Sequence, residues 1–92
     1  MVEVSLSGKV MVFTGNLTRF DNFSRAVLPA YNEKEVSFDV ANLHVDTAGL
    51  AWLIKQKINL AESGIQIHWL HASQELMKLA TINNVLDILG IE

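Results

Sequence analysis

The residues whose types and spacing suggest a particular chemistry lie in one short run, Asp46-Thr47-Ala48-Gly49, directly after an alternating apolar segment. The first turn of a helix leaves backbone N–H groups without helical partners and carries a partial positive charge. Asp46 belongs to the residue types that accept such N–H groups as a cap. Thr47 then places a hydroxyl beside a position that favours anions, including phosphate. Ala48 and Gly49 are small, so another surface can approach the backbone closely.

The same run has a purely structural interpretation. Asp and Thr are common at helix starts, where they cap the helix without any further role. On spacing alone, capping is the more frequent explanation. The run is a functional candidate only because other features of the chain support it.

Three histidines are the other candidates for chemistry. His68 and His71 are three residues apart across a predicted strand end with no acidic ligand nearby, and zinc needs three or four ligands in a tetrahedral array. We therefore expect no metal site, and we interpret His44 as an exposed loop residue. No Walker, dinucleotide-binding or Gly-x-Ser-x-Gly pattern occurs, and Thr47 has no evident base to complete a catalytic site. The sequence thus predicts a protein that is not an enzyme and needs no cofactor.

Composition narrows the class of protein. The chain has 92 residues, of which 50% are hydrophobic and 18% charged, so we expect a single domain over residues 1–92. There is no cysteine, which excludes disulfides and fits a reducing compartment. The net charge is -3 and the seven basic residues do not cluster, which argues against nucleic-acid binding. No signal peptide and no apolar run of ~18–20 residues is present, so we expect a cytoplasmic protein without membrane insertion.

The strands that position the Asp46 run follow from the alternation of apolar and polar residues. Ser7-Gly8-Lys9 is predicted to join the first two strands as a hairpin turn, and Gly15-Asn16 to end the second. A loop over residues 42–45 is expected to lead into the Asp46 run. The predicted strands cover residues 2–6, 10–14, 36–41 and 65–70.

Helical spacing of apolar residues separates the later strands. Pro29 is expected to end a first helix, Gly64 to stop a second, and Ser73 to cap a third. Strand–helix–strand units favour parallel pairing, and the opening hairpin adds an antiparallel strand. We therefore predict an α/β fold with a mixed sheet of four to five strands. The predicted helices cover residues 21–30, 47 to 62 or 63, and 74 to about 81, and residues 84–92 fit either a short helix or a strand with a turn.

The segment from Val36 to Leu50 resembles the signature of the STAS family (sulphate transporter and anti-sigma factor antagonist). In that family a strand with an internal Asp runs into a loop, and Asp-Ser-Ser-Gly-Leu opens a helix. Asp39 corresponds to the strand aspartate, and Asp46 to Leu50 correspond to the helix start. The order of strands and helices agrees over nearly the whole chain. The resemblance implies a STAS fold, with helices packed mainly on one face of the sheet.

Within this family the chain is most similar to the small STAS subunits of bacterial phospholipid-transport ABC complexes, which carry Asp-Thr-small-Gly-Leu-Ala where Asp46 to Ala51 stand here. The resemblance implies a non-catalytic subunit that binds and supports the ATPase, and through it the membrane permease, in maintaining outer-membrane lipid asymmetry. It places Thr47 in the ATPase interface. The alternative is an anti-sigma factor antagonist, a partner switch controlled by phosphorylation. The phosphorylated Ser of those proteins is replaced by Thr47.

The outward side of the helix that starts at Thr47 follows from a rotation of 100° per residue. An apolar stripe from Leu50 to Ala61, including Ile58, is expected to pack on the sheet, although Lys57 falls within it. Trp52 falls on the polar side, and Trp is a favoured interface anchor, so we hypothesise that it contacts a partner. The alternative is that Trp52 folds back onto a neighbouring helix of the same chain. The predicted partner-binding residues are Leu43, His44, Asp46, Thr47, Ala48, Trp52 and Gln56.

Overall fold

The computed structural model describes residues 2–20 and 28–91. The helix predicted over residues 21–30 falls largely outside this range. None of the helices in the described ranges combines the length and apolar character that a membrane span requires. The elements follow in the order β1 (Glu3–Ser7), β2 (Val10–Leu17), β3 (Glu35–Val45), α1 (Thr47–Glu62), β4 (Gln66–Leu70), α2 (Gln74–Ile82) and α3 (Leu86–Leu89).

The strands form one mixed sheet in the order β1-β2-β3-β4. β1 pairs with β2 antiparallel, whereas β2 with β3 and β3 with β4 are parallel. β3 and β4 are joined through α1, and parallel strands joined in this way form a right-handed crossover with the helix on one face of the sheet. Leu28 and Tyr31 from the connection between β2 and β3 and Trp52 of α1 pack against one common core. The predicted α/β fold with a mixed sheet is confirmed.

The core is built around aromatic side chains on the covered face of the sheet. The Phe13 and Phe38 rings have centroids 4.8 Å apart, and both side chains are fully buried. Trp52 of α1 meets Phe13 edge-on at 6.4 Å, and Trp69 of β4 meets Phe38 edge-on at 5.4 Å. Tilted and edge-to-face contacts are favoured by the charge distribution of aromatic rings. Strands β2, β3 and β4 and helix α1 are thereby held in one cluster.

β3 is longer than predicted because it contains a β-bulge. From Val12 to Thr14 the pairing advances by two residues in β2, but by three in β3, from Asp39 to Asn42. The extra residue shifts the buried positions of β3 from even to odd numbers. The loop predicted over residues 42–45 is therefore wrong. The bulge breaks the alternation without ending the strand.

β2 also continues beyond its predicted end at Gly15-Asn16. Its last residue, Leu17, pairs with Val45 at the end of β3 and is fully buried. Gly and Asn are typical of turns, but here the extension of β3 supplies a pairing partner that keeps the chain extended. The consequence for the site is direct, since the end of β2 lies beside the start of α1.

The predicted stop of α1 at Gly64 and the predicted cap of α2 at Ser73 agree with the structure. Ser73 caps α2, and its hydroxyl accepts the Leu76 N–H at 3.0 Å. α1 ends at Glu62, and Gly64 adopts a left-handed φ of +78° just beyond it. This conformation is easy for Gly and satisfies the last carbonyl groups of a helix.

α1 buries only part of the predicted stripe, because Leu50 and Leu53 are buried as expected but Trp52 joins them in place of Ile58 and Ala61. Ile58 is 49% exposed and Ala61 is exposed, although both belong to the stripe that was expected to face the sheet. Trp52 has turned inward instead, because burying its large apolar surface is worth more than burying Ile58 or Ala61. The buried residues of α1 are Gly49, Leu50, Trp52 and Leu53.

The C-terminal segment forms the short helix α3, one of the two predicted alternatives. The carbonyl oxygen of the buried Leu89 accepts hydrogen bonds from Lys57 Nζ at 2.8 Å and from Trp69 Nε1 at 2.7 Å. These donors satisfy a carbonyl at the helix end that has no helical partner. They also explain Lys57, whose stem crosses apolar surface so that its amine reaches this oxygen.

Candidate functional site

Asp46 caps α1 and also ties it to the chain that leaves β2. Its Oδ1 accepts the Gly49 N–H at 3.0 Å, and its Oδ2 accepts the Arg19 backbone N–H at 2.9 Å. The pairing of Leu17 with Val45 brings these two parts of the chain together. The predicted cap is confirmed, and its second hydrogen bond is a feature that the sequence did not indicate.

These hydrogen bonds lower the pKa of the Asp46 carboxyl. The largest cause is the bond from the Arg19 N–H, followed by the bond from the Gly49 N–H. The Ala48 N–H and the charge of Arg19 act in the same direction, while removal from water opposes them. A carboxylate that accepts N–H bonds is stabilised in its charged form. Asp46 is thus ionised, and both of its oxygens serve the chain's own structure.

Gly49 is required by the close approach of β2. A Cβ at this position would lie 1.8 Å from the Leu17 carbonyl oxygen and 3.2 Å from the Val45 Cβ. The expectation that Gly49 leaves room for a foreign surface is therefore wrong. The surface that comes close is the backbone of the same chain, and it fixes the position of the first turn of α1.

Two of the predicted partner-binding residues lie in the core and do not reach the surface. Trp52 is 7% exposed and Leu43 is 6% exposed. Leu43 points inward because the bulge has shifted the buried positions of β3, and Trp52 packs against Phe13. The hypothesis that these two side chains contact a partner is corrected, and Trp52 packs within its own chain. Gln56, one turn after Trp52, is half-buried.

The remaining predicted residues stay together at the surface around the start of α1. Thr47, the first residue of the helix, is exposed, and so is His44 near the end of β3. Asp46 and Ala48 are half-buried. The exposed Thr47 side chain lies beside N–H groups of a first helical turn, where negative charge is favoured.

Arg19 and Phe20 lie at the same place and were not predicted. Phe20 is 84% exposed, and the Arg19 guanidinium carbon is 4.8 Å from the centroid of its ring. This is a cation–π distance, and the Arg19 N–H bond to Asp46 holds the pair next to the helix start. No pattern in the sequence indicated this pair, since an apolar residue next to a predicted helix normally belongs to the core. We call the surface formed by Arg19, Phe20, His44, Thr47 and Ala48 the α1 tip.

Asp39, which corresponds to the strand aspartate of the STAS signature, supports the bulge. Its Oδ1 accepts the Ala41 N–H at 3.2 Å and is 3.3 Å from His71 Nδ1. A bulge leaves backbone groups without ladder partners, and the carboxylate replaces one of them. Asp39 thereby helps to position the second half of β3, which leads to Asp46.

The histidines pair with single carboxylates. His71 lies against Asp39, and His68 Nε2 lies 3.2 Å from Glu35 Oε1. Over residues 2–20 and 28–91, no three His, Cys, Asp or Glu side chains are grouped as metal ligands would be. These pairs are exposed or half-buried, so each adds little to stability.

No protein-family model and no curated protein sequence matches this chain. The fold and the site define a small α/β module in which the exposed start of α1 is held rigidly by Asp46 and Gly49.

Proposed function

We propose that this chain is a non-catalytic STAS subunit that binds and supports the ATPase of a bacterial phospholipid-transport ABC complex, in the manner of MlaB with its ATPase MlaF. The observation that carries the proposal is the exposed Thr47 at the start of α1, within the run from Asp46 to Leu50 that resembles the STAS signature. Further support comes from the mixed sheet and its parallel crossovers, which are compatible with such a fold.

The α1 tip has properties that favour a protein partner. Its frame is rigid, because Asp46 is bonded to both Gly49 and Arg19. It presents an exposed aromatic ring and an arginine, two of the residue types that dominate binding energy at interfaces. Preorganised contacts of this kind lose little conformational entropy on binding.

In this proposal the chain is a cytoplasmic subunit held at the inner membrane through the ATPase and the permease. It requires no cofactor, no nucleic acid and no membrane insertion of its own. Its contribution to outer-membrane lipid asymmetry is indirect, since the α1 tip acts on the ATPase and not on lipid.

The test is the affinity of the purified chain for a purified MlaF-type ATPase. Thr47→Arg and Thr47→Glu should raise the dissociation constant by about tenfold or more, because each puts a bulky or charged group into the contact. Circular dichroism should not change, since Thr47 is exposed. Thr81→Arg, at an exposed threonine of α2, is the matched control. Unchanged affinity in both Thr47 variants would contradict the proposal.

A second candidate is a phosphorylation-controlled anti-sigma factor antagonist. The observation that favours it is again the exposed Thr47, where an added phosphate would lie at the positive end of the α1 dipole. Affinity capture from a Gram-negative lysate separates the two candidates. Recovery of an ABC ATPase favours the transport subunit, whereas recovery of a kinase-like anti-sigma protein that releases the chain on Thr47 phosphorylation favours the switch.

A further inference from the structure

α1 carries a second apolar stripe on the side that faces away from the sheet. Starting from Thr47, it follows steps of four, three, four and three residues along the helix. Ile58 is 49% exposed, the two alanines are exposed, and Ile54 is half-buried. We call this set the outer stripe, and its residues are Ala51, Ile54, Ile58 and Ala61.

Most of the outer stripe lies outside the core, although Ile54 also packs partly against it. The opposite side of α1 already packs on the core through Gly49, Leu50, Trp52 and Leu53. Within residues 2–20 and 28–91, the side chain of Ile58 is covered over only about half of its surface. A helix with apolar residues on two sides has one side available for a second contact.

The spacing of the outer stripe indicates the shape of that contact. Apolar residues that alternate at intervals of four and three align along one side of a helix, the pattern of helix pairs packed side by side. Ala51 and Ala61 at its two ends are small, which allows a second helix axis to come near. The two central residues, Ile54 and Ile58, supply the larger side chains that fill gaps between the facing residues.

The charged residues beside the outer stripe indicate which kind of partner helix is complementary to it. The whole chain has a net charge of -3, yet α1 contains two lysines and a single acid, Glu62, at its last residue. Lys57 is engaged with the Leu89 carbonyl, so Lys55 is the cation that borders the outer stripe. Arg19 adds a further positive charge at the helix start. A complementary surface is therefore acidic.

The same charges disfavour a second copy of this chain. If two α1 helices paired antiparallel with Ile54 against Ile58 of the other copy, the two Lys55 side chains would approach each other. Like charges placed opposite each other across an interface are destabilising. The outer stripe thus matches a foreign helix better than its own copy.

We propose that the outer stripe binds an amphipathic helix of the partner protein, whose rim carries acidic side chains opposite Lys55. The inference rests on the proposed function, because the partner in question is the ATPase. The bound helix lies along α1 and reaches the α1 tip at its Thr47 end. Thr47 and Ile58 are then two ends of one continuous contact, about 11 residues and roughly 16 Å apart along the helix.

The first arm of the test places a charge in the outer stripe. Ile58→Lys should weaken ATPase binding by about tenfold or more, since a charge would be desolvated in an apolar contact. Ile82→Lys is the matched control, because Ile82 is 70% exposed at the end of α2 and outside the stripe. Ile58 is half exposed and Ile82 is mostly exposed, so both variants should melt close to the wild-type temperature.

The second arm reverses a rim charge. Lys55→Glu should slow association with the ATPase by about tenfold at low salt, and the difference should shrink as salt screens it. Lys78→Glu, at an exposed lysine of α2, is the matched control and should bind like the wild type. An unchanged association rate in the Lys55 variant would count against an acidic partner.

The third arm determines whether the bound segment of the partner is a helix. A photoreactive residue in place of Ala51 or Ile58 should cross-link to ATPase residues three or four apart on one helix. Cross-links to an extended segment would overturn the inference, and so would a dimer of the chain that Ile58→Lys dissociates. If Thr47→Arg prevents binding while Ile58→Lys and Lys55→Glu bind normally, the outer stripe fails and the proposed function stands. A wild-type chain that does not bind the ATPase overturns both.

Discussion

Single residues at the start of α1 are fixed by contacts that come from distant parts of the chain. Asp46 bonds to Arg19, which is 27 residues earlier, and Gly49 lies under the carbonyl of Leu17. A capping Asp and a small Gly are each common in helices. Here their combination sets the distance and the angle between β2 and α1, and so the shape of the α1 tip.

Gly49→Ala should destabilise the chain by about 2–3 kcal/mol, because its Cβ would overlap with backbone atoms that cannot move independently. Gly64→Ala is the matched control. A Cβ at Gly64 would meet no atom within 4 Å, so only the positive φ is strained, at a cost of about 1 kcal/mol. Urea denaturation measures both. Equal stability of the two variants would contradict the prediction, because it would mean that β2 and α1 can move apart at Gly49 without a cost in free energy.

The carboxyl of Asp46 should make stability depend on pH in the acid range. Its pKa is lower in the folded chain, so its contribution is complete above the unfolded-state pKa of about 3.9 and is lost as the pH falls through the folded-state pKa. Asp46→Asn should therefore be less stable than the wild type at neutral pH and approach it in acid. Asp46→Ala should remain less stable at every pH, because it has no cap. Thermal unfolding from pH 2 to 7 measures these differences.

At the scale of elements, the bulge and the C-terminal clamp determine which surfaces are presented. The bulge lets β3 run to Val45, so that α1 starts at the sheet edge beside the end of β2. The Leu89 carbonyl, held by Lys57 and Trp69, fixes α3 against α1 and β4. The sequence predicted all four strands and the helices over 47–62 and 74–81, because each is a local period of apolar residues. It missed the bulge and the clamp, because both depend on partners that are distant in the chain.

Lys57→Met should destabilise the chain by about 1 kcal/mol, since it keeps the apolar stem but removes one donor to the Leu89 carbonyl. Trp69→Phe removes the other donor. The double variant should lose more than the sum of the two, because the Leu89 oxygen is then left without either side-chain donor. Lys55→Met on the exposed side of α1 is the control and should change stability little. Strict additivity in urea denaturation would argue that the two donors act independently.

At the scale of the whole molecule, a chain of 92 residues has a small core, and a few large side chains carry much of its stability. Phe13, Phe38, Trp52 and Trp69 form one connected group of rings that joins the sheet to α1. Apolar residues that this core does not use, such as Ile58 and Phe20, are left at the surface of α1 and beside its start. The residues of α1 that form the core are therefore different from those that the proposed function assigns to partner binding.

Trp52→Ala should lower stability by about 3–5 kcal/mol, because it leaves a large cavity in the core. The free energy of unfolding of a small domain is about 5–15 kcal/mol in total, so the melting temperature of this variant should fall sharply. Phe20→Ala is the matched aromatic control, and its side chain is 84% exposed. It should change stability by no more than about 0.5 kcal/mol. A Trp52 variant that melts like the wild type would contradict the inward packing of this residue.

The sequence by itself determined the features that are set by neighbours along the chain. These are the α/β class, the strand and helix periods, the cap at Asp46 and the exposed position of Thr47. Tertiary structure alone decided which side of α1 is buried, since Trp52 and Ile58 compete for the same core and only the shape of the sheet below them settles the outcome. It also decided that Leu43 is hidden, because one extra residue in β3 reverses the direction of every side chain after it.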